Sequence, residues 1–274
     1  MSLFLLLTQI VSLGATNYGV DAPMNAPKGK PAFADEFDGV TIDTARWRYD
    51  TSRNAEGWYN NEKQYYAKDR PENARIEGGS LIIEARRETL SKARFPDWGG
   101  QHYSSAKLVT RQSYGFGFYE VRAKLPCGRG AWPAIWMLPK TGKWPDKGEI
   151  DIMEMVGWDP NVVHATLHSG AFNHAKGTQR GAQTRIATAC TDYHRYQLEW
   201  RPDAITIGVD GRAVMRVRND QPGGEAAWPF NRPYELILNL AVGGDWGGKQ
   251  GIDDAALPQR MAVDYVRYWL PSNR

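Results

Sequence analysis

Three carboxylic acids crowd into one short segment, Glu149-Ile150-Asp151-Ile152-Met153-Glu154. The β-branched and apolar residues between them read as a strand, in which successive side chains alternate between the two faces. Glu149 and Asp151 then share one face and Ile150 and Ile152 the other. Glu154 falls out of step, because strict alternation would drive it into the core, where an unpaired carboxylate is costly. One extra residue in a β-bulge near Ile152 and Met153 restores the parity and returns Glu154 to the face of Glu149 and Asp151. The expected result is a row of three carboxyl groups on one exposed sheet face. Such a row raises its own pKa values by mutual repulsion, which benefits no purely structural role. It does suit glycoside hydrolysis, in which one carboxylate attacks the anomeric carbon and a second, kept protonated, protonates the leaving oxygen. A separation of ~5–5.5 Å between the two would be the retaining geometry. A metal site or a solvated edge face is the competing reading, but calcium favours ligands from a flexible loop.

Other side chains fit a sugar-binding surface. Trp132 and Trp136 lie four positions apart on the preceding apolar stretch and so share a strand face. Their flat rings can take the apolar face of a sugar or simply pack in a core. His164, Thr166 and His168 alternate with Val163, Ala165 and Leu167, which sends both histidines to the polar side. Neither has the Cys/His spacing of a zinc site. Asn60 and Asn61, in Gly57-Trp58-Tyr59-Asn60-Asn61-Glu62, read as a loop whose amides could meet sugar hydroxyls or serve only the turn. Gly243, Gly244, Gly247 and Gly248 superficially suggest a phosphate-binding loop. No Lys-Ser/Thr follows and no helix is expected there, which argues against it.

The elements that must position these groups are strands. Residues 118–125 alternate strictly, and residues 205–209 and 213–217 flank Asp210-Gly211, a favoured two-residue hairpin turn. Residues 80–85, 162–168, 196–200, 234–242 and 263–269 add further strands. No window carries a sustained apolar stripe of helical period. Many short strands over 274 residues predict an all-β sandwich of two antiparallel sheets. The aromatic strand at residues 263–269 and the lack of any composition break suggest one domain spanning residues 21–274.

Composition narrows the function classes. With 34 basic and 31 acidic residues, a net charge of +3, 42% hydrophobic and 24% charged residues, the chain is neither disordered nor dominated by a basic surface for nucleic acid. No apolar run is long enough for a membrane-spanning helix. Its 11 Trp and 13 Tyr point to aromatic faces as well as an aromatic core. Leu3, Phe4, Leu5, Leu6, Leu7, Ile10, Val11 and Leu13, followed by Gly14 and Ala15, resemble a secretory leader within residues 1–20. Its basic start is missing, since the first Lys is Lys28, as expected of a truncated or misassigned start. An ordinary first strand is the alternative. In a secreted or periplasmic protein Cys127 and Cys190 could form a disulfide, worth ~4 kcal/mol in the chain-entropy treatment. Two free buried thiols remain the other reading.

Glu149-x-Asp151-x-x-Glu154, preceded by Trp132-Pro133-Ala134-Ile135-Trp136-Met137-Leu138-Pro139, resembles glycoside hydrolase family 16 and, within it, the bacterial laminarinase-type endo-β-1,3-glucanases. Further similar pieces are Phe33-Ala34-Asp35-Glu36-Phe37, Asn60-Asn61-Glu62 with Gln64-Tyr65-Tyr66, His164-Ala165-Thr166-Leu167-His168, and Leu240 through Trp246. The resemblance implies a β-jelly-roll with a concave cleft, Glu149 as nucleophile, Glu154 as general acid/base, and Asp151 between them tuning the nucleophile. It implies Asn60, Arg111, Trp132, Trp136, His168 and Trp246 as substrate contacts, with His168 near the acid/base. It also implies a structural calcium on Glu36 with backbone oxygens near Gly79 and Asp264, and no cofactor for catalysis. The expected activity is retaining hydrolysis of internal β-1,3 bonds in a laminarin-like β-glucan by a secreted or periplasmic monomer. Mixed-linkage glucan or an algal galactan are alternative substrates. A non-catalytic glucan-binding protein is disfavoured because both glutamates are present.

Overall fold

The computed structural model describes residues 17, 18 and 22–271. Two sheets face each other. The larger has eleven strands and the smaller seven. Among the described residues almost every pairing is antiparallel; the exception is the short pair Gln64–Tyr66 and Tyr103–Ser105, which runs parallel at one end of the larger sheet. The smaller sheet runs Arg180–Arg185, Val162–His168, Glu149–Glu154, Ala131–Leu138, Glu235–Val242, Lys107–Thr110, Trp47–Tyr49. The core lies between the sheets. It joins Leu81, Tyr119, Val121 and Ala123 of the larger sheet to Ile135, Met137, Ile150, Ile152, Met153, Leu238 and Leu240 of the smaller.

The expected strands form with boundaries shifted by a few residues, as in Gly117–Lys124, Ser80–Arg87 and Gln259–Trp269. In the predicted hairpin Val209 pairs with Arg212. Asp210 and Gly211 between them have φ of 52° and 85°, the left-handed pair that such a turn requires. Arg180–Arg185 and Ala74–Glu77 escape the sequence reading because they carry too few apolar residues to alternate visibly. Gly244–Gly247 is a single helical turn, where no helix was expected; it is too short to act as an anion site. The expected leader lies outside the described residues apart from Asn17 and Tyr18, which pair with Arg216 and Met215 at the edge of the larger sheet. Cys127 and Cys190 form a disulfide across a sequence separation of 63, with Cα atoms 5.7 Å apart. It ties the end of one central connection to the turn after residue 186.

Candidate active site

The bulge forms where the parity argument requires it. Against Val162–His168, Glu149 pairs with His168, Asp151 with Thr166 and Glu154 with His164, so two residues, Ile152 and Met153, span one step of the partner strand. Against Ala131–Leu138, Met153 pairs with Ile135 and Asp151 with Trp136, leaving Ile152 as the extra residue. Both bulge side chains point into the core and are at most 1% exposed. Burying two such side chains stabilises by ~1.5–3 kcal/mol each, which outweighs the ~0.5–1.5 kcal/mol of a lost ladder hydrogen bond. The regular alternative would instead bury Glu154 without a partner.

The outer face of the smaller sheet floors a cavity of about 660 Å³ that contains Glu149, Asp151 and Glu154. Trp132, Ala134, Trp136 and Leu138 line it from one strand, Asn239 and Ala241 from the next, and Lys107 from the one beyond. Loops close the walls with Trp58, Tyr59, Asn60 and Glu62 on one side and Trp144 and His174 on the other.

The carboxyl row is deeper than expected. Asp151 is 2% exposed, and the Glu149 side chain is 15% exposed. Burial pushes the Glu149 carboxyl well above the ordinary range, with the Asp151 charge adding to it. Burial does the same to Asp151, reinforced by the Glu154 charge. Burial also raises Glu154, while the Trp132 indole N–H, donating to Glu154 Oε1 over 3.0 Å, works against that rise. The charge that pushes Glu154 further upward comes from Glu62, across the cleft wall. The three acids therefore titrate as a coupled set. The expected cause, repulsion within the row, is secondary to desolvation at each of them.

His168 sits directly against Asp151 and Glu149, and acts on Glu154 only through its charge. Its Nε2 lies 3.3 Å from Asp151 Oδ2 and 3.8 Å from Glu149 Oε1, and it makes no hydrogen bond to Glu154. The signal was available: in an antiparallel hairpin the residues nearest the turn pair first, which puts His164 opposite Glu154 and His168 opposite Glu149. His168 is 6% exposed and is covered by Trp144 and His174, with ring centroids 5.9 and 5.2 Å away, so it packs as a buried partner of the carboxylates.

Both predicted tryptophans face the cleft, each held by its N–H. Trp132 is fixed on Glu154 and stands edge-on to Trp246 at 5.4 Å. Gly247 is required behind it, since a Cβ there would come within 2.9 Å of Trp132 Cβ. Trp136 donates to Asn239 Oδ1 over 2.7 Å, with the Lys107 ammonium 5.1 Å from its ring centroid. Trp246 touches Trp132 and His164 and accepts the Trp158 N–H at its carbonyl. Asn60 lines the cleft, and its φ of 56° shows that it also serves the turn. Arg111 is elsewhere. Its side chain and backbone bind the carbonyls of Thr44 and Arg46, because the chain has already left the cleft floor one residue past Thr110.

Sequence reasoning missed Lys107, Asn239, Trp144 and His174 as lining residues. Asn239 had a signal, a lone amide inside the apolar run of residues 234–242. It accepts from Trp136 and donates to the Tyr66 hydroxyl. Lys107 is held by Asp50 at 3.0 Å, a pairing across distant segments that local pattern cannot show.

The residues expected to hold calcium do not fit an ion as they stand. Glu36 gives both carboxylate oxygens to Arg267, each at 2.8 Å, and Asp264 pairs with Arg122 at 2.5 Å. Gly79 lies in the hairpin turn before Ser80, with φ of 74°. The guanidinium groups already supply the positive charge at this edge.

The profile of glycosyl hydrolases family 16 matches residues 60–267. The chain is 47% identical over 271 residues to a β-glucanase of Rhodothermus marinus, covering 94% of this chain and 91% of that one. Among solved structures, the laminarinase from Rhodothermus marinus matches with a TM-score of 0.81 at 48% identity, over 88% of this chain and 97% of that one. SCLam, described as a non-specific endo-β-1,3(4)-glucanase, matches with a TM-score of 0.86 at 54% identity, over 91% and 96%.

Proposed function

The chain belongs to glycosyl hydrolases family 16 and is a glycoside hydrolase of the endo-1,3-β-glucanase type; from that premise we infer that it cleaves internal β-1,3 bonds of a laminarin-like glucan by double displacement. The observation that carries this reading is the bulge at Ile152 and Met153, which returns Glu154 to the face of Glu149. Glu149 is the nucleophile. Its carboxylate attacks the anomeric carbon as Glu154 protonates the departing glycosidic oxygen. Glu154, now ionised, takes a proton from water, which attacks the glycosyl-enzyme and releases Glu149. No cofactor enters these steps.

The surrounding residues set the protonation states. A nucleophile must be ionised, and burial opposes that at Glu149. His168, within ion-pair distance of both acids, offsets that cost, whereas the neighbouring Asp151 charge adds to it. The Trp132 N–H is aimed at Glu154, so it orients the acid and keeps its pKa from rising too far to lose the proton. Once Glu149 is glycosylated its charge is gone, and Glu154 becomes easier to ionise for its second role. Trp136, Asn60 and the exposed Tyr59 are the sugar contacts along the open cleft. The structural neighbour named as a non-specific endo-β-1,3(4)-glucanase favours mixed-linkage glucan as a second substrate. We read residues 1–20 as an export leader and the protein as a monomer working outside the cytoplasm; the apolar N-terminal run and the disulfide support this.

Product analysis on laminarin, mixed-linkage glucan, agarose and carrageenan tests the substrate. Laminarin should give internal cleavage to short oligosaccharides. Cleavage of a galactan with laminarin untouched would overturn the reading.

A further inference from the structure

We propose that Glu149, Asp151 and His168 form a binding site for a divalent first-row transition ion such as zinc, and that the ion inhibits the enzyme by occupying its nucleophile. Among the described residues these three are the cluster whose potential ligand atoms, one from each, all lie within 4.8 Å of one another. A tetrahedral zinc ion with nitrogen and oxygen ligands holds them about 3.4 Å apart. Here His168 Nε2 is already 3.3 Å from Asp151 Oδ2 and 3.8 Å from Glu149 Oε1. Small side-chain adjustments would complete three protein ligands and leave a fourth position open toward the cleft.

The groups are also short of partners. Asp151 Oδ2 is buried without a hydrogen bond. The His168 ring, 6% exposed, aims Nε2 into the cluster. A buried orphan acceptor costs ~1–3 kcal/mol, and a cation bound between these atoms would satisfy it. Two carboxylates facing each other in a buried floor give the ion its electrostatic preference. The imidazole selects a borderline ion, since calcium and magnesium want six or more oxygens. Substrate and ion would compete, because the ion coordinates the oxygen that must attack the sugar.

Calorimetric titration of the full chain with zinc chloride at neutral pH tests this. One zinc per chain should bind, while magnesium and calcium give no comparable heat. The dissociation constant should rise at least ~10-fold in both His168→Gln and Asp151→Asn, as expected for loss of a ligand. On the unaltered enzyme, a saturating β-1,3-gluco-oligosaccharide should weaken zinc binding, and zinc should inhibit laminarin hydrolysis reversibly with EDTA. No binding at millimolar zinc, or equal affinity in the folded variants, would overturn the proposal. So would zinc affinity unmoved by an oligosaccharide that itself binds. The inference rests on the glucanase reading only for inhibition: if that reading failed, zinc would still bind through His168 while laminarin stayed intact.

Discussion

Glu149→Gln should make the protein more stable at neutral pH while removing its activity. The Glu149 and Asp151 carboxyl oxygens lie within 4.8 Å, and their side chains are 15% and 3% exposed. Two full charges no more than 4.8 Å apart in an effective dielectric of ~20 repel by at least roughly 3 kcal/mol. The folded chain avoids part of this by retaining a proton and by placing His168 beside both acids. A net gain of about 1–2 kcal/mol is therefore expected on neutralising one of them. For a domain of this size that is about 2–8 °C in Tm. The pH dependence is specific. Both carboxyls have folded-state pKa values raised above the unfolded ones. Below the unfolded carboxylate range, about 4, both states are protonated and the cost vanishes. It grows as pH rises from the unfolded range, where only the unfolded chain ionises, and levels off once pH passes the raised folded values. Calorimetric melts of the wild type and Glu149→Gln should accordingly differ little near pH ~4 and most near pH ~8. A variant that melts at or below the wild type at the higher pH would refute the reasoning. So would a gain independent of pH.

Three other outcomes follow from the same geometry. Glu149→Gln and Glu154→Gln should each lower turnover on laminarin at least ~10³-fold, as nucleophilic and acid/base roles are each worth several kcal/mol of barrier; a variant keeping a tenth of the rate would break that assignment. Trp132→Phe removes the N–H that favours ionised Glu154, so the Glu154 pKa should rise and the alkaline limb of kcat/KM should move to higher pH, whereas an unmoved limb would make Trp132 a sugar contact only. Cys127→Ser with Cys190→Ser should cost about 2–5 kcal/mol of stability in urea unfolding, with near-normal activity at low temperature; unchanged unfolding would show that the bond constrains little.

How much of this was legible in the sequence depended on whether the information was local. Alternation along residues 149–154 and the parity of Glu154 were enough to require a bulge, because apolar burial and the cost of a buried carboxylate act on one strand. The turn at Asp210-Gly211 was legible for the same reason. Depth was not. Alternation assigns a face, but Asp151 is buried because residues on remote loops and strands cover it. Arg111 was misplaced because nothing local marks where a strand leaves a cleft floor. Lys107 and Asn239 come from strands that only the sheet order brings beside the acids.

The central claim is that Glu149 carries the sugar. An activated 2-deoxy-2-fluoro glucoside extended by a β-1,3-linked unit should trap the covalent intermediate. Mass spectrometry of the digested enzyme should find one glycosyl label on the peptide containing residues 149–154, fragmenting to Glu149. A label on Glu154 or Asp151 would contradict the assignment. So would an unlabelled enzyme whose first-formed product is the α-anomer.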